Sequence, residues 1–344
     1  MFHLYVKRVK AGLAESQRFQ LDCNFRELLY STSLTNNLFK IFVSMSESEN
    51  ELSTGVSYYV LYQSMISSPP EETPPNNEFW QEDTWTNDDY QSAETLLTDN
   101  LFRSALPPHK VDKYNQNSKK DWDSFYLHNT TKFYKDRHYL QQEFQTDFDT
   151  TECRVLVEIG AGVGNNILPL LESKPMWHIY CFDFSRVAID FLRQDERFIK
   201  AQPHAQADVW DITAMGDPPV RSIADITTLL FCLSAIHPVK MGEAMSNVAK
   251  TLKPKGILLF RDYGRYDEAQ LKLGTARGKR LAENFYVKQD GTKCYYFSIE
   301  DLETLCQKAG LEVLELQYLK RVYSNRAQSQ QRRRVWVQGR FRKL

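Results

Sequence analysis

From position 154 onward, short apolar runs alternate with stretches whose apolar residues recur three and four apart. The runs predict strands at 155–159, 179–183, 206–209, 226–233, 256–261, 311–318 and 335–341. The periodic stretches predict helices at 165–173, 186–194, 239–252 and 299–309. Repeated strand–helix units imply a parallel, doubly wound α/β sheet, ending in a C-terminal hairpin. Upstream, residues 1–78 are poorly patterned, and 44–77, rich in Ser, Glu and Pro, read as linker or disorder. Residues 79–150 read as a helical lead-in, broken at Pro107-Pro108, in which SKKDWDSFYLHNTTKFYKDRHYLQQEF interleaves aromatic and basic positions. Residues 151–344 complete the α/β domain.

The first strand runs into a glycine-rich turn, VLVEIGAGVG at 155–164. Glycines there let the backbone turn sharply and lie close to a ligand, where a Cβ would intrude. A dinucleotide-type G-x-G-x-x-G would need glycine at Asn165. Glu158 ahead of Gly160 and Gly162 is instead how class I S-adenosylmethionine (SAM) methyltransferases open. A carboxylate there can orient the loop amides and face the ligand's ammonium.

In open α/β sheets, ligands sit beyond the carboxyl ends of the strands. Asp183 ends the second strand and suits a pair of ribose hydroxyls, although an acid just before Ser185 is also an ordinary helix cap. Asp208 and Asp211 follow the third strand, where a carboxylate can accept from an adenine amino group with Ile212 against the ring. FCLSAIHP at 231–238 follows the fourth, the wall facing a transferred methyl. It lacks the Asn/Asp-Pro-Pro-aromatic motif that guides an exocyclic amine. A ring nitrogen with a free lone pair needs no base, only in-line approach and a pocket tolerant of a cationic product. FRDYG ends the fifth strand. Residues 283–297 predict a hairpin with an Asp-Gly turn, whose aromatics beside Arg and Lys either clamp an extruded base or simply pack.

Charge refines this picture locally. Forty-three Lys and Arg balance 44 Asp and Glu, so nothing global marks a nucleic-acid binder. Acids dominate 47–99, whereas no acid follows position 317. The tail carries Lys320, Arg321, Arg326, Arg332, Arg333, Arg334, Arg340, Arg342 and Lys343, either a phosphate track or a solvated hairpin. Six scattered cysteines form no C-x-x-C or Cys/His spacing and read as reduced core residues, without a metal. No apolar run approaches the roughly 20 residues of a membrane span. The N-terminus has no continuous apolar core for a secretory signal, and Glu15 interrupts the basic run of a presequence. A cytoplasmic location is expected, with nuclear and mitochondrial ones left open.

Together, E-x-G-x-G-x-G-N, CFDFS, DIT, LSAIHP, FRDYG, FYVKQDGTKCYYF and RRVWVQGRF, preceded by WDSFY and FYKDRHYL, resemble the tRNA N3-methylcytidine methyltransferases. The likeness runs from about Asp121 to Lys343. It implies a class I, Rossmann-like, seven-stranded fold with an N-terminal helical extension that caps SAM and helps bind tRNA. It implies methylation of cytidine 32 in the anticodon loop, threonine tRNA ahead of serine tRNA, with seryl-tRNA synthetase a candidate partner of the serine branch. For the cofactor it implies Trp122, Tyr126, Glu158, Gly160, Gly162, Asp183, Asp211, Ile212 and Leu230. Toward tRNA or its base it implies Lys132, Lys135, Arg137 and His138, joined by Tyr286, Arg332, Arg333 and Arg334. Asp262 is the candidate for stabilising the cationic product, unless it only pairs with Arg261. Arg261, Ser234 and His237 complete the catalytic candidates. Two rivals remain: a methyltransferase of this fold acting on protein or small molecules, and a non-enzymatic scaffold.

Overall fold

The computed structural model describes residues 3–10, 13–20, 80–82, 85–131, 133, 135–325 and 330–344. The linker read at 44–77, Cys23 and Lys132 lie outside them. The chain divides into two compact units, Met1–Ser67 and Ser68–Leu344. In the first, β1 (His3–Lys10) and β2 (Leu13–Gln20) pair antiparallel.

The second unit opens with β3 (Trp80–Glu82) and six helices: α1 (Asn87–Asp99), α2 (Leu101–Ser104), α3 (Pro108–Gln116), α4 (Ser118–Asn129), α5 (Leu140–Glu143) and α6 (Gln145–Phe148). Thr86 starts α1 through a capping box with Asp89, whose carboxylate accepts from Thr86 N at 2.7 Å. Pro108, read as part of a break, occupies the first position of α3, where a missing N–H loses no bond.

There follow β4 (Val155–Ile159), α7 (Ile167–Ser173), β5 (His178–Asp183), α8 (Arg186–Gln194), α9 (Glu196–Lys200), β6 (Ala205–Val209), β7 (Ala224–Leu230), α10 (Pro238–Thr251) and β8 (Leu252–Tyr263). Then come α11 (Glu268–Thr275), β9 (Arg280–Ala282), β10 (Phe285–Val287), β11 (Lys293–Tyr295), α12 (Ile299–Lys308), β12 (Leu311–Asn325) and β13 (Gln330–Lys343). The main sheet has the order β3-β12-β13-β8-β7-β4-β5-β6. From β8 to β6 it is parallel, but β13 runs antiparallel to both β8 and β12. The parallel sheet therefore carries two reversed strands: β13, which follows β12 as the expected hairpin and inserts between β12 and β8, and β3, which lies antiparallel on β12. Strand order turns between β4 and β7, which opens a crevice at their carboxyl ends.

Alternation along each strand feeds two cores. Leu156, Ile179, Ile226 and Leu259 face one side with α7, Phe148 and Trp177. Val157, Ile159, Leu229 and Phe260 face the other with Met245 and Val248 of α10, Leu302 of α12, and Val337. Cys181, Cys294 and Cys306 are buried as expected, but Cys153 is exposed.

Several boundaries differ from the pattern. The fourth strand stops at Leu230, three residues early, because Phe231 takes a left-handed φ of 52° and a 3-10 turn follows at Leu233–Ala235. The fifth begins at Leu252, directly after α10. The hairpin at 283–297 gains a third strand, β9. Its loop is closed by Lys288 N donating to Thr292 O at 2.8 Å, wider than a two-residue Asp-Gly turn.

Candidate active site

A cavity of about 600 Å³ opens at the carboxyl ends of β4, β5, β6 and β7. A second of about 50 Å³ lies beside the glycine turn, and Trp122, Tyr126, Gly160 and Phe231 line both. Gly160, Gly162 and Gly164 all have positive φ, 73°, 55° and 92°. Such a run is open to glycine at little cost. Space forbids a side chain at all three, and a Cβ on Gly164 would stand 2.5 Å from Leu192 Cδ1. A Cβ on Gly160 would stand 2.4 Å from Cys232 Sγ, and one on Gly162 would stand 2.8 Å from the Tyr126 hydroxyl. Tyr126 thus lies directly on the turn, with Trp122 beside it at 5.7 Å. Helix α4 holds both there by packing Phe125 and Tyr126 on Val163 and Ala188.

Glu158 is buried behind the turn and lines the smaller cavity. It accepts from Thr228 Oγ1 at 2.6 Å and from Asn166 Nδ2. Burial pushes its carboxyl up to about 7 against those bonds. Asp183 accepts from Gly162 N and from Ser185 N, each at 2.9 Å. The cap reading of Asp183 is therefore partly right, while Ser185 itself caps α8 through Ala188 N. Burial raises the Asp183 carboxyl to about 6. Asp211 folds onto Thr213 N at 2.9 Å, and Ile212 is buried beside it; both line the large cavity. Leu230 lines the small one. The structure thus gathers Trp122, Tyr126, Glu158, Gly160, Gly162, Asp183, Asp211, Ile212 and Leu230 around adjoining cavities.

The four catalytic candidates separate. His237 lines the cavity, caps α10 by accepting from Val239 N at 3.3 Å, and meets Phe285 edge-on. Burial first, then Lys293 and Lys240, lowers its pKa. Ser234 and Asp262 are buried just behind the wall, where Asp262 accepts from Ser234 N and Tyr263 N, each at 2.9 Å. Burial lifts Asp262 to about 6. Arg261 belongs elsewhere. Neighbouring strand residues face opposite sides, so it turns away from Asp262 and pairs with Glu143 and Gln338, between Tyr139 and Trp336. The Arg261–Asp262 pairing is corrected accordingly, and Arg261 is a buried structural cation.

The substrate-side expectations divide as well. Lys135 and His138 are exposed, and Arg137 lines the small cavity with its guanidinium 4.8 Å over the Phe231 ring. Tyr286 is buried against Tyr296 and presents no surface for a base. Arg332 is partly exposed, but Arg333 is buried, 3.5 Å over Trp85 and bonded to Tyr266 O and the Tyr90 hydroxyl. Arg334 pairs with buried Asp267. Arg340 and Arg342 pair with Asp147 and Glu312. Three of the tail's cations, Arg334, Arg340 and Arg342, are thus paired with acids of the fold. The tail's sequence has no acid because the partners come from elsewhere in the chain. Residues the pattern missed include Asn115 and Lys119 in the cavity wall. No motif marks them; they arrive only because α3 and α4 dock there. Among the described residues, no cluster of His, Cys, Asp and Glu could hold a metal, and no helix is long and apolar enough to cross a membrane.

A model of the methyltransferase domain family matches residues 112–316. A Drosophila melanogaster protein named tRNA N(3)-methylcytidine methyltransferase Mettl2 is 36% identical over 277 residues, 77% of this chain and 83% of its own length. The chain belongs to the tRNA N3-methylcytidine methyltransferase family. Within that family, Mus musculus tRNA N(3)-cytidine methyltransferase METTL6 is 38% identical over 261 residues, 74% of this chain and 89% of its own. Schizosaccharomyces pombe trm141, named a tRNA N(3)-methylcytidine methyltransferase, is 38% identical over 246 residues, 70% and 98% of the two chains. The fold is that of class I methyltransferases, and the cofactor of the family is SAM.

Proposed function

We propose that this chain transfers a methyl group from SAM to N3 of cytidine 32 in the anticodon loop of tRNA, with threonine tRNA preferred to serine tRNA. The observation that carries the reading is the meeting of Gly160 of the positive-φ turn, Asp183 and Asp211 on one cavity, closed by a fourth-strand wall with no amine-guiding motif. The donor set fits SAM. Asp183 keeps a lone pair on each oxygen for ribose hydroxyls, and Asp211 with Ile212 offers an acceptor and an apolar face to adenine. Glu158 and Gly160 would hold the methionine part, under Trp122 and Tyr126. SAM, when bound, supplies an electrophilic methyl that cytosine N3 takes with its own lone pair, leaving the charge on the base. The protein's part is to exclude water, align the base and tolerate a cation. Asp262 acts through Ser234 and the turn it braces, since it is fully buried behind the wall, lines neither cavity and accepts from Ser234 N and Tyr263 N.

Mass spectrometry of nucleosides from tRNA incubated with the protein and SAM tests this. N3-methylcytidine that vanishes with Asp183→Ala, and with uridine at position 32, is the expected result. No product despite SAM binding, with every tRNA offered, would overturn it. Adding seryl-tRNA synthetase to serine tRNA tests whether that branch needs a partner.

A further inference from the structure

We infer that Phe231 is the stacking platform for the target cytosine, an inference that rests on the reaction proposed above. Two aromatic residues among those described have a left-handed backbone, Phe231 and Tyr266, and only Phe231 lines the cavities. A bulky residue in that region costs free energy and persists where the surroundings over-determine it. Here they do. Phe231 N is held by Arg261 O at 2.7 Å, where β7 leaves β8, and Cys232 beyond it presses on Gly160. The turn sets the half-buried ring at the wall shared by the two cavities, where the fourth strand ends.

The ring's neighbours point to its ligand. The Arg137 guanidinium lies 4.8 Å from its centroid, and Tyr263 flanks it at 5.1 Å and 51°. Guanidinium is a flat cation with its charge spread over N–C–N. N3-methylcytosine is also a flat cation, its charge spread over N3, C4 and N4. A ring face that holds the first is suited to the second. The extruded base takes the guanidinium's place, as bases splayed from RNA commonly stack on aromatic rings. Neutral cytosine gains stacking alone; as positive charge develops, it also gains the attraction of the ring's negative face. The interaction therefore strengthens toward the transition state, which raises the rate rather than binding alone.

Phe231→Leu keeps the apolar bulk and removes the π face, whereas Phe231→Tyr keeps it. In single turnovers at saturating SAM and tRNA, the leucine variant should methylate about 2- to 30-fold more slowly, the worth of a cation–π attraction gained only as the charge develops. The tyrosine variant should stay near wild type. A leucine rate equal to wild type, or a tyrosine rate as low as leucine's, would overturn the inference. A second readout needs no cofactor: pyrrolocytidine at the target position of tRNA should be quenched by wild type and Phe231→Tyr but not by Phe231→Leu. Equal quenching by all three would also overturn it. Should Phe231→Leu not fold, Phe231→Met makes the same comparison. Wild-type protein that makes no N3-methylcytidine sinks the proposed reaction instead, and the two failures are thereby distinguished.

Discussion

Arg334 Nε stands 2.9 Å from Asp267 Oδ2, and the Asp267 carboxylate has no solvent exposure. Asp267 also accepts from Val335 N at 2.9 Å and from Ala269 N at 2.8 Å, so one acid ties β13 to the start of α11. The most basic run of the chain is, at this point, a seam of the fold. Removing one partner of a buried pair leaves the other charge without compensation. Arg334→Ala should therefore lower stability by about 3 kcal/mol in denaturant unfolding. Arg342→Ala breaks an exposed pair with Glu312 and should cost under about 1 kcal/mol. Equal losses would show that the burial of Asp267 is not what matters.

Asp183 spends one lone pair of each oxygen on the Gly162 and Ser185 amides. It thereby couples the glycine turn to α8 while facing the cavity. Asp183→Ala should weaken SAM binding by about 1–3 kcal/mol, the scale for a charge-assisted bond. Titration calorimetry measures it, and an unchanged affinity would remove Asp183 from the ribose site.

The alternating pattern made much of this legible. Positions 155–159 form the first strand as expected, and the strand-end residues Gly160, Asp183 and Asp211 meet at one cavity because the topology brings carboxyl ends together. What failed was whatever depends on distant partners. In sequence Arg261 reads as a catalytic candidate and Arg333 as part of a tRNA-facing basic tail, yet Glu143, Trp85 and Tyr90, far away in the chain, bury them. Helix α11 was missed because Asp267 caps it without any marked periodicity in EAQLKLGT. The early end of β7 was missed because left-handed Phe231 contradicts local preference, a conflict expected at functional sites.

Three buried carboxyls titrate high in this site: Glu158 to about 7, Asp183 and Asp262 to about 6. All three rise above their ordinary values because burial disfavours charge. The folded state then holds protons that the unfolded chain has released. Stability gained that way is present at low pH and is lost as pH rises through 6 and 7. The melting temperature of the ligand-free protein should fall between about pH 5 and pH 7.5. SAM binding should run the other way, because a cationic ligand favours ionised Glu158. Glu158→Gln should flatten the SAM trend and shrink the melting trend to the share of Asp183 and Asp262; unchanged slopes in both would show that another group carries the pH dependence.

Two glycines with the same φ of 73° separate strain from steric exclusion. A Cβ on Gly310 would meet nothing within 4 Å, whereas one on Gly160 would lie 2.4 Å from Cys232 Sγ and 2.5 Å from its Cβ. Gly310→Ala should cost about 1–2 kcal/mol, the left-handed penalty alone, and leave SAM affinity unchanged. Gly160→Ala adds overpacking against a residue fixed behind Phe231, for about 2–4 kcal/mol in all. It should also push the glycine turn and the fourth-strand wall apart, so SAM affinity falls together with stability. Thermal unfolding paired with calorimetry reads both. Gly160→Ala with no more than the loss of Gly310→Ala would mean that Cys232 yields freely. The wall would then be soft, and the strain held at Phe231 could not be maintained by it.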